Sequence, residues 1–363
     1  MTRPRARLAL VALAGLLPLA ALSPSAAAQD ATPVATPTET GRLFPLPGEA
    51  VFPEGVAYQE ETGDFFVGST TDGTIYRGNV ETGAVEVFVE GAPGGAAVGL
   101  EVDDEGRLYV AGGTTGLVSV YDTGTGALLA EFSNGLAPNT FLNDVAVSAA
   151  GDAYVTDSFN PFLSVVLAAS VVPGSALEEG AATPGTGAPV GPLAPALDLS
   201  AFGFQLGEGF NANGIVATPD GRYLLVAQTN TGLLYRVELA AEEAIQVDLG
   251  GASLPGDGLL LDGQTLYAVT GNEISVVELA EDYAAGSVVG SFTDPSFSSP
   301  TTIARYDGCL LVVNSQFANQ GGTPDLPFTI SAVPIPVLGA AATPGAATPV
   351  AAAAVGTPIA GRC

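Results

Sequence analysis

The chain has 363 residues, enough for one large domain or two of ordinary size. Its 38 acidic residues face 10 basic ones, all of them arginine, and the net charge of −28 excludes a surface for nucleic acid or anionic lipid. With no His and no Lys, the chain has no Ser-His-Asp or Cys-His nucleophile, no His-held zinc, no Schiff base and no Walker-type phosphate loop; carboxylates, amides, hydroxyls, Arg and an oxygen-preferring metal remain for chemistry.

Residues 1–28 read as a secretory signal peptide. Arg3, Arg5 and Arg7 precede the apolar run Leu8–Leu22, which Gly15 and Pro18 interrupt, and Ala26-Ala27-Ala28 gives a small-residue cleavage site. The run is too short and too broken for a stable membrane anchor, so a secreted or extracytoplasmic mature chain from Gln29 is expected. Residues 29–45 form a linker, with a strand expected somewhere in Gly41–Val51 to help close the domain that follows.

From Glu54 onward, short β-rich runs recur between Gly, Asp, Asn and Thr turns. Units such as VGLEVDDEGRLYVAGG from Val98, NDVAVSAAGDAYVTDS from Asn143 and NGIVATPDGRYLLVAQT from Asn213 share one pattern. Six units start at 54, 98, 143, 213, 257 and 300, in steps of 44, 45, 70, 44 and 43 residues. The long step holds an Ala/Thr/Pro/Gly insertion at 174–197, read as a surface loop. Two hairpins per unit make a four-stranded sheet, and six sheets of about 44 residues each make an all-β, six-bladed β-propeller over 46–333. A β-sandwich would not produce six near-equal steps. Residues 334–363 form a low-complexity Ala/Thr/Pro tail whose prolines disfavour a membrane helix. Cys309, inside the apolar run CLLVV, reads as a buried free thiol in preference to a partner for Cys363 at the end of that tail.

A propeller brings equivalent positions of different blades to one axis. Glu54, Asn143, Asn213 and Asp257 open four of the six units, so two carboxylates and two amides converge there. That set balances a divalent cation, and calcium, which takes six to eight oxygens in irregular geometry, suits it best. Taken singly, Asn-Gly, Asp-Gly and Asn-Asp are ordinary turn dipeptides; their shared register distinguishes them. Asp144, Glu101 and Asp157 read as strand-end or solvent-exposed acids, and Ser158 as a structural turn residue.

FPEG at Phe52–Gly55, LNDVAV at Leu142–Val147, NGI followed by PDG at Asn213–Gly221, and GDGL at Gly256–Leu259 resemble the senescence-marker-protein/gluconolactonase family of calcium-dependent, six-bladed propeller hydrolases. The resemblance spans the whole propeller. It implies that Glu54, Asn213 and Asp257 hold the metal, that Asn143 helps hold metal or substrate, and that Asp257 is the general base. Members acting on sugar lactones carry an Arg two residues before the channel Asn; Phe141 stands there in this chain, which turns the expected substrate from a sugar acid toward a more apolar small-molecule ester or lactone. Two readings follow: a calcium-dependent hydrolase using an activated water, or a non-catalytic propeller that binds a ligand or a protein partner. A tail that contacts the cell envelope is a further alternative.

Overall fold

The computed structural model describes residues 41–171, 190–336 and 363. The segment read as a signal peptide, most of that read as a linker, most of the insertion and residues 337–362 of the tail lie outside them.

Six antiparallel sheets are arranged around a central axis. Their innermost strands are Pro53–Gln59, Leu100–Val102, Leu142–Val147, Ala212–Ala217, Leu259–Asp262 and Pro300–Tyr306, one for each expected unit. Apolar side chains alternate on both faces of each sheet because each blade is covered by its neighbours on both sides. Ala57, Phe66 and Ile75 of blade one pack on Leu100, Leu108 and Tyr121 of blade two, and a comparable apolar layer fills each successive gap. The sixth layer joins blade six to blade one through Phe44, Phe65, Leu311 and Ile330. The core is therefore a ring of six layers, and the axis is left for polar groups.

Strands run outward in chain order within each blade, with two departures. Arg42–Pro45, inside the segment read as linker, pairs antiparallel with Thr329–Pro334 as the outer strand of blade six. This strand, from the expected Gly41–Val51 run, joins the start of the chain to its last blade. The outer strand of blade three is Ala194–Asp198, and Val190–Pro192 adds a fifth, parallel strand to blade two. The end of the segment read as a surface loop is thus part of two sheets.

The inner strands share one irregularity. In blade one, Pro53 pairs with Ser69 and Val56 with Val67, so Glu54 and Gly55 together oppose Gly68. The same two-against-one bulge holds Asn143-Asp144 in blade three, Asn213-Gly214 in blade four and Thr301-Thr302 in blade six. In blades two and five, Val98-Gly99 straddle Ala111 and Asp257-Gly258 straddle Val269 through paired backbone hydrogen bonds. A bulge re-aims a side chain that regular pleating would send elsewhere. It also corrects the sixth unit start, read from sequence as Pro300: the equivalent residue is Thr301, whose carbonyl accepts from Gly258 N–H as the Asn143 carbonyl accepts from Gly99 N–H.

A second correction concerns the cysteines. Cys309 and Cys363 form a disulfide with Cα atoms 5.9 Å apart. Composition shows that the tail is low in complexity but not where its last residue docks. Half-buried Cys363 packs against the layer between blades six and one.

Candidate functional site

Glu54, Asn143, Asn213 and Asp257 all line one cavity of about 380 Å³ at one end of the propeller axis. Phe141 is in the same wall, with Thr70, Val98, Phe210, Phe317 and Gln320. The bulges present the four polar residues from four different blades, and glycines make room for them. A Cβ on Gly55 would lie 2.2 Å from the Val98 carbonyl oxygen, and one on Gly214 only 1.9 Å from that of Asp257. The Glu-Gly, Asn-Gly and Asp-Gly pairs are therefore not turns; glycine follows the site residue because the next blade's backbone occupies that space.

Asn143 is oriented by its neighbours. Ser158 Oγ donates to the Ala212 carbonyl at 2.6 Å, so it must accept from Asn143 Nδ2 at 2.9 Å. Asn143 Oδ1 is then turned away from Ser158, buried and without a partner. Glu54 Oε2 is in the same condition. Among the described residues only five buried side-chain polar atoms lack a partner, and two of them are here. Burying an oxygen without a partner costs roughly 1–3 kcal/mol, so a pair in one cavity points to a ligand that supplies what the protein does not.

Electrostatics agree. Burial raises the Glu54 carboxyl well above its usual range, and the charges of Asp257 and Asp144 raise it further. Burial and Asp144 raise Asp257 to about 7, against an Asn213 side-chain hydrogen bond that favours its ionised form. Asp144 was expected at a strand end. It is instead buried between these acids, its two oxygens accepting from Val145 N at 2.9 Å and Ile215 N at 3.2 Å, and desolvation still raises it to about 7. Asp144 is not part of the cavity lining, and it bears on the site by raising the carboxyls of Glu54 and Asp257. Glu101 lines the opposite end of the axis, beside Val56, Ile215 and Arg305.

Two carboxylates and two amides form a hard, oxygen-only donor set, which fits calcium. Among the described residues no three His, Cys, Asp or Glu side chains gather into a metal-binding group, so an ion here would also need the two amides. Sequence reasoning missed Phe210, Phe317 and the buried role of Ser158. Phe210 lies in the segment before the bulge of blade four and Phe317 in a single helical turn, Phe317–Asn319, and neither carries a repeat signal.

No protein-family model and no curated protein matches the sequence. Solved structures do match. Regucalcin, a calcium-binding protein from Agrobacterium tumefaciens, aligns with a TM-score of 0.56 at 18% identity, over 83% of this chain and 97% of that one. The chain shares the fold of regucalcin and gluconolactonase. A gluconolactonase from Xanthomonas campestris aligns with a TM-score of 0.55 at 17% identity, over 81% of this chain and 90% of that one. The major allergen Mala s 1 of Malassezia sympodialis reaches 0.56 at 14% identity, over 80% and 95%. At these identities the likeness is one of fold alone.

Proposed function

We propose that the protein is an exported, calcium-dependent hydrolase of small-molecule esters or lactones. The observation that carries this reading is the pair of unpartnered buried oxygens, Glu54 Oε2 and Asn143 Oδ1, in one cavity with Asn213 and the raised carboxyl of Asp257. Glu54, Asn143, Asn213 and Asp257 would hold the ion, which when bound polarises a carbonyl and acidifies a water. Asp257 takes the proton of the attacking water and returns it to the leaving alkoxide as the acyl C–O bond breaks. Asn213 fixes the Asp257 carboxylate by hydrogen bonding, and Ser158 fixes the Asn143 amide. Val98, Phe141, Phe210 and Phe317 keep bulk water from the carbonyl. That regucalcin is described as calcium-binding and a second structural relative as a gluconolactonase supports the reading.

Lactones and aryl esters assayed with calcium and with a chelator test it. Turnover with calcium, abolished by the chelator and reduced at least about a hundredfold in Asp257→Ala, is expected. Calorimetric calcium binding without turnover of any ester or lactone would favour the binding propeller. Export is proposed from residues 1–28; among the described residues no helix is long and apolar enough to cross a membrane. N-terminal sequencing of extracellular protein should begin at Gln29, and a retained Met1 would refute cleavage.

A further inference from the structure

Three phenylalanines meet at the mouth of the axial cavity, and the interblade core explains none of them. Phe141 and Phe210 line the cavity, their ring centroids 5.2 Å apart at 68°. Phe159 packs on both, at 5.6 Å from Phe141 and 6.2 Å from Phe210. Phe159 and Phe210 are 45% and 46% exposed. Contiguous apolar surface left in water marks a recognition site more often than a packing remnant.

The rings come from three segments, and buried polar groups hold each in place. Asp157 Oδ1 accepts from Phe141 N at 3.0 Å and from Phe159 N at 2.9 Å, tying two of the rings' backbones to one carboxylate. Asp157 Oδ2 accepts from Thr140 Oγ1 at 2.5 Å and Asn160 Nδ2 at 2.9 Å. Buried Asn211 anchors the third segment: its Nδ2 donates to the carbonyls of Ser158, Gly207 and Gly209, and its Oδ1 accepts from Gly207 N. Five hydrogen bonds on one carboxylate, counting Asn160 N on Asp157 Oδ1, and five on one amide, counting Asn230 Nδ2 on Asn211 Oδ1, exceed what a surface loop requires. They build a rigid face, and a rigid face loses little entropy when a ligand docks.

The rest of the cavity decides what docks there. Its floor is carboxylate and amide, and among the described residues no basic side chain lines it. An anionic sugar acid finds no arginine to pair with in this lining, whereas a flat apolar group has a preformed aromatic face. We infer that Phe141, Phe159 and Phe210 recognise the aromatic substituent of an uncharged ester or lactone whose carbonyl rests on the polar floor, with Asp157 and Asn211 as positioning residues. The carbonyl's place rests on the hydrolase reading; recognition of the ring does not.

The test pairs γ-phenyl-γ-butyrolactone with unsubstituted γ-butyrolactone, in calcium, on the full chain and on Phe210→Ala. Wild type should favour the phenyl lactone at least about tenfold in kcat/KM, mainly through KM, and Phe210→Ala should lose most of that preference while Phe210→Tyr keeps it. Calorimetry with the corresponding lactams, 5-phenylpyrrolidin-2-one and pyrrolidin-2-one, reads binding without hydrolysis and should show the same preference and the same loss. If neither lactone is turned over but the phenyl lactam binds tighter through Phe210, the hydrolase reading falls and the recognition face stands. If phenyl and unsubstituted compounds behave alike, or Phe210→Ala leaves the preference intact, the recognition face is overturned whatever the lactonase activity.

Discussion

Burial and mutual repulsion keep the axial carboxyls protonated far above their unfolded range. Asp257 and Asp144 reach about 7 and Glu101 about 8, all raised first by desolvation, whereas in an unfolded chain such groups ionise near about 4. Between those limits the folded state binds more protons than the unfolded one. The stability that these groups contribute is therefore full below about pH 4 and is lost as pH rises toward 8. In chelator, the melting temperature should fall steadily from pH 5 to pH 8. Calcium requires the ionised carboxylates, so the rise in melting temperature that it brings should be larger at pH 8 than at pH 5, and Glu54→Ala should remove most of it. A melting series in both buffers checks this; a melting temperature in chelator that climbs across the range would contradict the raised carboxyls.

At the scale of the strand, the bulge and its glycine are a single device. The bulge turns the first residue to the axis, and the glycine lets the neighbouring blade's backbone approach. In Gly214→Ala the new Cβ would meet the Asp257 carbonyl at 1.9 Å, a contact that only backbone movement relieves. We expect a loss of about 3 kcal/mol or more in denaturant unfolding, together with a loss of calcium stabilisation, because Asn213 and Asp257 are displaced together. Gly308→Ala is the control: its Cβ meets nothing within 4 Å, and it should stay within about 0.5 kcal/mol of wild type. The repeat period placed Glu54, Asn143, Asn213 and Asp257 in register before any coordinates, since a period needs only local turn and strand chemistry. It misplaced the sixth position by one residue, because Pro300-Thr301 lacks the glycine that marks Glu54, Asn213 and Asp257, and only the pairing of Pro300 with Asn314 sets the register.

For the whole molecule, a ring of blades is as strong as its seam. The strand Arg42–Pro45 in blade six closes the seam here, and the disulfide that returns Cys363 to Cys309, 54 residues away, pins Cys363 against the apolar layer of the seam. A cross-link over that span restricts the unfolded chain enough to contribute about 2–4 kcal/mol. Cys363→Ser should lower the unfolding free energy by that amount and the denaturant midpoint with it, and a reductant should do the same to wild type while leaving Cys363→Ser unchanged. Equal midpoints for wild type with and without reductant would show that the bond does not reinforce the seam.

Composition alone excluded histidine and lysine chemistry, and the period by itself determined the blade count and the residues that converge, because strand alternation and turn spacing are local properties written along the chain. The tertiary structure decided the rest. Asn143 Oδ1 and Glu54 Oε2 are left without partners, Asp144 is held by Ile215 71 positions away, Asp157 by Phe141 16 away, and Cys363 reaches Cys309 54 away. No local signal encodes such contacts. They exist only once six apolar layers have closed the ring and brought polar groups from separate blades to one axis.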